Sequence, residues 1–502
     1  MERLATGIED LDLVLAGGFR PGSVVVLAGA PGTGKTILAQ QICFATATPE
    51  RKAIYYTTLT EPHSKLVMHL EPFSFFDPEP LEDSVEFIHL GDLLQQENGG
   101  GVGTVMSEVV DKCFETNPAV VVIDSAKALQ VFADDRSLRA AYYELASRVA
   151  HTETVLLLVG EYATEDIEDS VEFALADGVV QLAYELYEPV DRHWLRVVKM
   201  RGANHLAGRH SFRIAAGGFE VFPRLETIVP EHAAHDETGR ISSGLPKLDE
   251  LMGGGIPETD ATAILGPSGC GKTVLALRFV AQGLADGERC VYVSFQESTN
   301  PLVKKAASYG WDLERALESG QLVIHHVAQG DLDLDRLGGV VRRELSDGAV
   351  RRVALDSLAE LVVAARETAR FPAYARSLIG LIRAGGASVY VTSEITALGP
   401  EAEPIGGLSF LFHNVLLLRY VEIESETRRA LSILKMRDSG HVKGVYQFEI
   451  DEHGFEVMDR LEGLTGVTGW SALRTRSGND ERSILFRGKT MVYATSTAGN
   501  RK

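Results

Sequence analysis

The sequence is poor in cysteine, in positive charge and in long apolar runs, and each shortage closes off a class of protein. Its 502 residues contain four cysteines, Cys43, Cys113, Cys270 and Cys290. None stands in a CxxC spacing or beside a histidine pattern, so unpaired thiols in a reducing setting are expected rather than a disulfide framework or zinc site. Lys and Arg total 49 against 70 Asp and Glu, a formal net charge of −21. That balance opposes extended contact with a phosphate backbone, and no nucleic acid partner is expected, although a local basic groove is compatible with it. No apolar run approaches the ~18 residues of a membrane span. The opening MERLATGIEDLD lacks the charged-then-apolar layout of a signal peptide. The expectation is a cytoplasmic protein with no membrane attachment.

What is present is a repeat. TGIEDLDLVLAGGF from Thr6 returns as SGLPKLDELMGGGI from Ser243, and LAGAPGTGKT returns as ILGPSGCGKT, both at an offset of 237 residues. Farther on, VVIDS matches VALDS and VVKMRGANH matches ILKMRDSGH. Four correspondences in the same order mark a duplicated domain. The organisation read from them is a first domain over 1–225, a linker over 226–240, a second domain over 241–460 and a flexible tail over 461–502. The linker assignment follows the Pro, charge and small residues of PRLETIVPEHAAHDETGR. QQENGGGVG around Gly99 reads as a flexible loop. Within each half, apolar β-branched runs such as VVVLAG and ATAILG alternate with helical periodicity. Such runs suit parallel strands buried on both faces, so each half is expected to be α/β, a doubly wound, mainly parallel sheet flanked by helices.

Each half carries GxxxxGK[ST] between an apolar strand and a helical pattern: Gly29 to Thr36 and Gly266 to Thr273. Glycines allow backbone N–H groups to wrap phosphates at a helix N-terminus. The predicted cradles are Gly32, Thr33, Gly34, Lys35 and Thr36, and Gly269, Cys270, Gly271, Lys272 and Thr273. Lys35 and Lys272 are expected to reach the β- and γ-phosphates of ATP. Thr36 and Thr273, with Asp124 and Asp356 at the ends of later apolar strands, are expected to hold Mg²⁺. Lys199 and Arg201 lie two apart in a strand-like run, which places them on one side. Lys435 and Arg437 repeat the arrangement, with His205 and His441 four residues beyond each arginine.

These residues resemble the KaiC family of RecA-like P-loop ATPases over roughly residues 4 to 460. The IDS or LDS segment and KMRG-x-x-H or KMRD-x-x-H are its more specific marks. The resemblance implies two tandem RecA-like domains and a homo-oligomer, a hexamer of stacked rings with ATP between subunits. It also implies that Lys199, Arg201, His205, Lys435, Arg437 and His441 act on the adjacent subunit's nucleotide. The family carries paired glutamates at the end of the strand after the P-loop helix, the first of which activates water. Here Leu59 and Thr60 stand there in the first half, with Glu61 beyond, and Gln296 and Glu297 in the second. Clock-type members carry adjacent Ser and Thr on a late loop; here Ser409 is followed by Phe410, which leaves Ser409 as a single target for Ser/Thr autokinase activity.

The function expected is a slow ring ATPase acting in signalling or timing through protein partners. The rivals are a nucleic-acid motor like RecA or DnaB, which GGGVG and PEAEPIGG do not favour because they lack Lys and Arg, and a nucleotide-binding scaffold with negligible turnover. Hydrolysis is expected mainly in the second half. Glu61 lies two residues, roughly 6 to 7 Å of strand rise, beyond the lost acid, whereas Glu297 needs only a local turn of the backbone.

Overall fold

A computed structural model describes residues 2–57, 68–78, 83–90, 101–162, 170–185, 191–228, 239–328, 332–364, 369–395, 408–423, 425–437 and 440–462, with four two-residue strands beyond. The chain forms two compact units, Met1–Ile228 and Val229–Lys502. Glu61 and most of the expected tail over 461–502 lie outside the described residues, as does the greater part of the expected linker.

The first unit is built on nine strands: β1 (Val24–Gly29), β2 (Ala53–Thr57), β3 (Val85–His89), β4 (Val120–Asp124), β5 (Val155–Glu161), β6 (Gly178–Glu185), β7 (Arg192–Met200), β8 (His210–Ala215) and β9 (Gly218–Phe222). They lie in the order β3-β2-β4-β5-β1-β6-β7-β8-β9. Pairing is parallel from β3 to β6 and antiparallel from β6 to β9. The continuous apolar runs occupy the centre because both sheet faces are covered. In β1 all six residues are buried. Val25 and Leu27 pack with Leu38 and Ile42 of the helix Lys35–Thr46 on one face. Val24, Val26 and Ala28 pack with Val109 and Leu145 on the other.

In the second unit, β10 (Arg240–Ile241) pairs antiparallel with β11 (Ile256–Pro257) across the helix Pro246–Leu251. Its sheet comprises β12 (Ala261–Gly266), β13 (Arg289–Ser294), β14 (Leu322–His326), β15 (Val350–Asp356), β16 (Ser388–Glu394), β17 (Asn414–Ile423), β18 (Glu426–Met436), β19 (Val445–Asp451) and β20 (Gly454–Arg460). The order β14-β13-β15-β16-β12-β17-β18-β19-β20 repeats the first strand for strand. The fold is therefore two tandem RecA-like α/β domains, each with a mainly parallel sheet flanked by helices.

Two local expectations change. The glycine-rich segment read as a loop around Gly99 is helical from Gly101, in the helix Gly101–Thr116. Val102, Val105, Met106, Val109, Val110 and Cys113 are buried at helical spacing, and that apolar stripe carries the helix back through Gly103 despite the glycines' poor propensity. Arg201 and Arg437 do not share the strands of Lys199 and Lys435, because β7 ends at Met200 and β18 at Met436. Cys43, Cys113, Cys270 and Cys290 are all buried and free, as the spacing implies. Among the described residues no helix is long and apolar enough to cross a membrane.

Candidate active site

Each phosphate loop leaves the carboxyl end of a central strand and enters a helix, at the crevice where open α/β sheets bind ligands. Gly34 and Gly271 stand at the helix N-caps with φ of 87° and 108°. A Cβ on either would lie 2.4 Å from Ile214 Cδ1 or Ile450 Cδ1 respectively. Only glycine meets both the left-handed backbone and the close approach. Gly32 and Gly269 are also left-handed, whereas Thr33 and Cys270 are fully buried and anchor their loops from beneath.

Lys35 Nζ donates to Ala30 O at 2.8 Å. Lys272 Nζ donates to Gly266 O and Pro267 O at 2.9 and 2.8 Å. Both ammonium groups thus lie in the concavity of their own loops. Burial holds Lys35 below its ordinary value, against the opposing pull of Glu161 and then Asp124. Glu161 ends β5 in register with Gly29, and Glu394 ends β16 in register with Gly266. These two acids were not singled out from the sequence, although both close the apolar runs that were.

The predicted metal ligands meet in both halves. Thr36 Oγ1 donates to Asp124 Oδ2 at 2.8 Å, and Thr273 Oγ1 to Asp356 Oδ2 at 2.8 Å. A hydroxyl and a carboxylate are the hard oxygen donors that Mg²⁺ takes alongside water and phosphate. Among the described residues no cluster of three or more His, Cys, Asp or Glu offers an alternative cage. A buried tyrosine orients each aspartate: Tyr55 OH lies 2.6 Å from Asp124 and Tyr292 OH 2.8 Å from Asp356. Burial, and then the adjacent carboxylate, hold both phenols well above their ordinary value, so they act as neutral donors. Asp356 also accepts from Thr392. The register neighbour of Asp124 on β5 is Val159, which has no hydroxyl to give.

The basic residues lie elsewhere. Lys199 pairs with Val179, and Val179 with Val26, three residues before the loop glycine Gly29. Lys435 pairs with Val415 and that with Ala263, three before Gly266. Each lysine is thus about 10 Å back along its strands from its own phosphate loop. Its side chain turns farther away, Lys199 to Phe173 O and Ala174 O at 3.4 and 3.5 Å, and Lys435 to Ser409 O and Phe412 O at 3.2 and 2.8 Å. Arg201 pairs with Asp177 at 3.4 Å, and Arg437 donates to Phe410 O at 3.0 Å. Burial first and then the neighbouring arginine lower both lysines, with Asp177 opposing this at Lys199. Among the described residues His205 Nδ1 is buried without a hydrogen-bond partner, and His441 is half-buried. Ser409 is exposed at the start of a short 3-10 turn, Ser409–Leu411.

At the end of the strand after the P-loop helix, the first half's segment lies outside the described residues. In the second, β13 ends at Ser294 and the chain turns at once, with Glu297 N donating to Ser294 Oγ at 3.2 Å. The Glu297 carboxylate is held by Lys305. Gln296 instead donates to Glu360, which also accepts from Ser357. Glu360, four residues beyond Asp356, carried no sequence signal.

The description "ATPase: KaiC" belongs to the family that matches this chain twice, over residues 4–226 and 241–462. The circadian clock oscillator protein KaiC of Parathermosynechococcus lividus is 27% identical over 98% of this chain and 92% of its own length. The circadian clock protein KaiC3 of Synechocystis sp. PCC 6803 is 27% identical over 97% of this chain and 98% of its own.

Proposed function

The chain belongs to the KaiC ATPase family, and from that premise we propose that it is a slow ring ATPase acting through protein partners in signalling or timing. One Mg-ATP binds at each phosphate loop, with the cation shared by Thr36 and Asp124 or by Thr273 and Asp356. The basic pairs act in trans on the nucleotide of a neighbouring copy, and a closed ring, a hexamer in this reading, completes every site. The observation that carries this is their placement. In both halves the Lys and Arg lie back along the sheet from the loop of their own domain, with side chains directed farther away. A pair kept twice where it cannot serve its own phosphates is suited to stabilising charge on another subunit's, as an arginine finger does.

Ser409 is the candidate for a single autokinase target, because the residue is exposed. Nucleic acid and membrane have no part in this reading, and the compartment is the cytoplasm. Mass photometry with and without Mg-ATP, joined to phosphate release on the same sample, tests it. Assembly on ATP with measurable turnover is expected. A species that stays monomeric at micromolar concentration with ATP and its analogues contradicts the in-trans assignment.

A further inference from the structure

The second half lacks a proton acceptor where its strand meets the site. Gln296 stands at that point, and an amide cannot take a proton from water. Three glutamates lie nearby in the chain's path. Glu297 is ion-paired with Lys305. Glu394 borders Gly266, and its counterpart Glu161 in the first half acts on the loop lysine. That position is common to both halves and belongs to the lysine's surroundings. Glu360 is different. It lies in the helix Leu358–Ala364, which follows the aspartate-bearing strand directly. It is half-buried and accepts hydrogen bonds from both Gln296 and Ser357. The first half has Ala128 at the matching distance from Asp124.

We propose that Glu360 is the general base of the second half, a carboxylate supplied from the next strand's helix to the place where Gln296 stands. This rests on reading that half as an ATP-hydrolysing site. The two donated hydrogen bonds fix the carboxylate as an acceptor at the carboxyl end of the sheet, three residues along from the Ser357 that adjoins Asp356 through the chain. The water oxygen forms a bond to the γ-phosphorus as the bond from that phosphorus to the β–γ bridging oxygen breaks. The electron pair of the broken bond leaves on ADP. The water proton passes to Glu360 and then to the released phosphate. Gln296 orients the carboxylate and is a positioning residue.

The test uses the full chain carrying Lys35→Ala, so that only the second half turns over. Adding Glu360→Gln is expected to lower kcat about 10²-fold or more, the lower range for loss of a positioned base. One equivalent of Mg-ATP should still bind and the unfolding temperature should be unchanged. Adding Gln296→Glu to that protein returns a carboxylate to the strand end and should recover at least about tenfold of the loss, which a purely structural role for Glu360 does not allow. If Glu360→Gln does not fold, Glu360→Asp takes its place, with kcat lowered about tenfold and KM little changed. Turnover within a few-fold of the parent, or a loss that Gln296→Glu does not relieve, overturns the proposal alone. A parent that binds Mg-ATP yet releases no phosphate overturns the hydrolytic reading of this half, and the proposal with it.

Discussion

The two halves share a strand order, a phosphate loop and an aspartate–threonine contact of 2.8 Å, yet they differ in what surrounds that contact. Asp356 accepts from Thr392 where the first half has Val159, and Glu360 stands where the first half has Ala128. The cores differ as well. Arg352 on β15 is fully buried, in register with Ser388; the matching place on β4 is Val120, in register with Val155. Duplication has therefore kept the parts that grip phosphate, which depend on backbone shape. A group that acts on water depends on a single side chain instead, and in the proposal above the second half takes it from another element.

If both basic pairs serve neighbouring copies but the second half does most of the chemistry, Arg437→Ala should lower steady-state phosphate release about 10³-fold, as loss of an arginine finger does. Arg201→Ala should act chiefly on ring assembly. Equal losses of turnover from the two would make the halves catalytically equivalent.

Arg352 offers a test of stability. Its guanidinium contacts Glu288, Asp286 at 3.1 Å, Ser242 O at 2.7 Å and Phe279 O at 3.1 Å. Removing one member of a buried ion network costs about 3–5 kcal/mol, and the low end applies here because both carboxylates reach solvent. Arg352→Met should bring denaturant unfolding of the second half forward by about 3 kcal/mol and leave a first-half transition in place. A single unshifted transition would deny the network that role.

Smaller still is the tyrosine contact. Tyr292→Phe removes one donor from Asp356, and Tyr55→Phe removes one from Asp124. A hydrogen bond to a charged group is worth about 1.5–3 kcal/mol. Each change should therefore weaken Mg²⁺-dependent nucleotide binding at its own loop by up to about that amount, read by titration calorimetry on chains with the other loop silenced. Unchanged binding would mean that the tyrosine does not orient its aspartate.

Much of this frame is legible in the residues. The two loops, the paired aspartates and the central strands follow from glycine spacing and unbroken apolar runs, signals that are local in sequence. The tyrosines were hidden because Tyr55 and Tyr292 lie within those same apolar runs, where an aromatic reads as core. Glu360 was hidden for another reason. It reaches Gln296 across 64 positions of chain, and nothing in a seven-residue helix of apolar spacing marks its one acid as anything but a solvated side chain. The turn after Ser294 was expected as what Glu297 would need, but Lys305, eight residues beyond Glu297, captures that carboxylate. A pairing of that kind depends on the angle at which the next helix departs, which periodicity does not specify.

In the proposed reading, one phosphate loop mainly binds nucleotide while the other mainly hydrolyses it. Equilibrium dialysis and phosphate release on Lys35→Ala and Lys272→Ala chains test it directly. Each variant should lose one of two Mg-ATP equivalents, Lys35→Ala should keep most of the turnover, and Lys272→Ala should lose most of it. Turnover that survives Lys272→Ala and vanishes with Lys35→Ala would place hydrolysis in the first half instead.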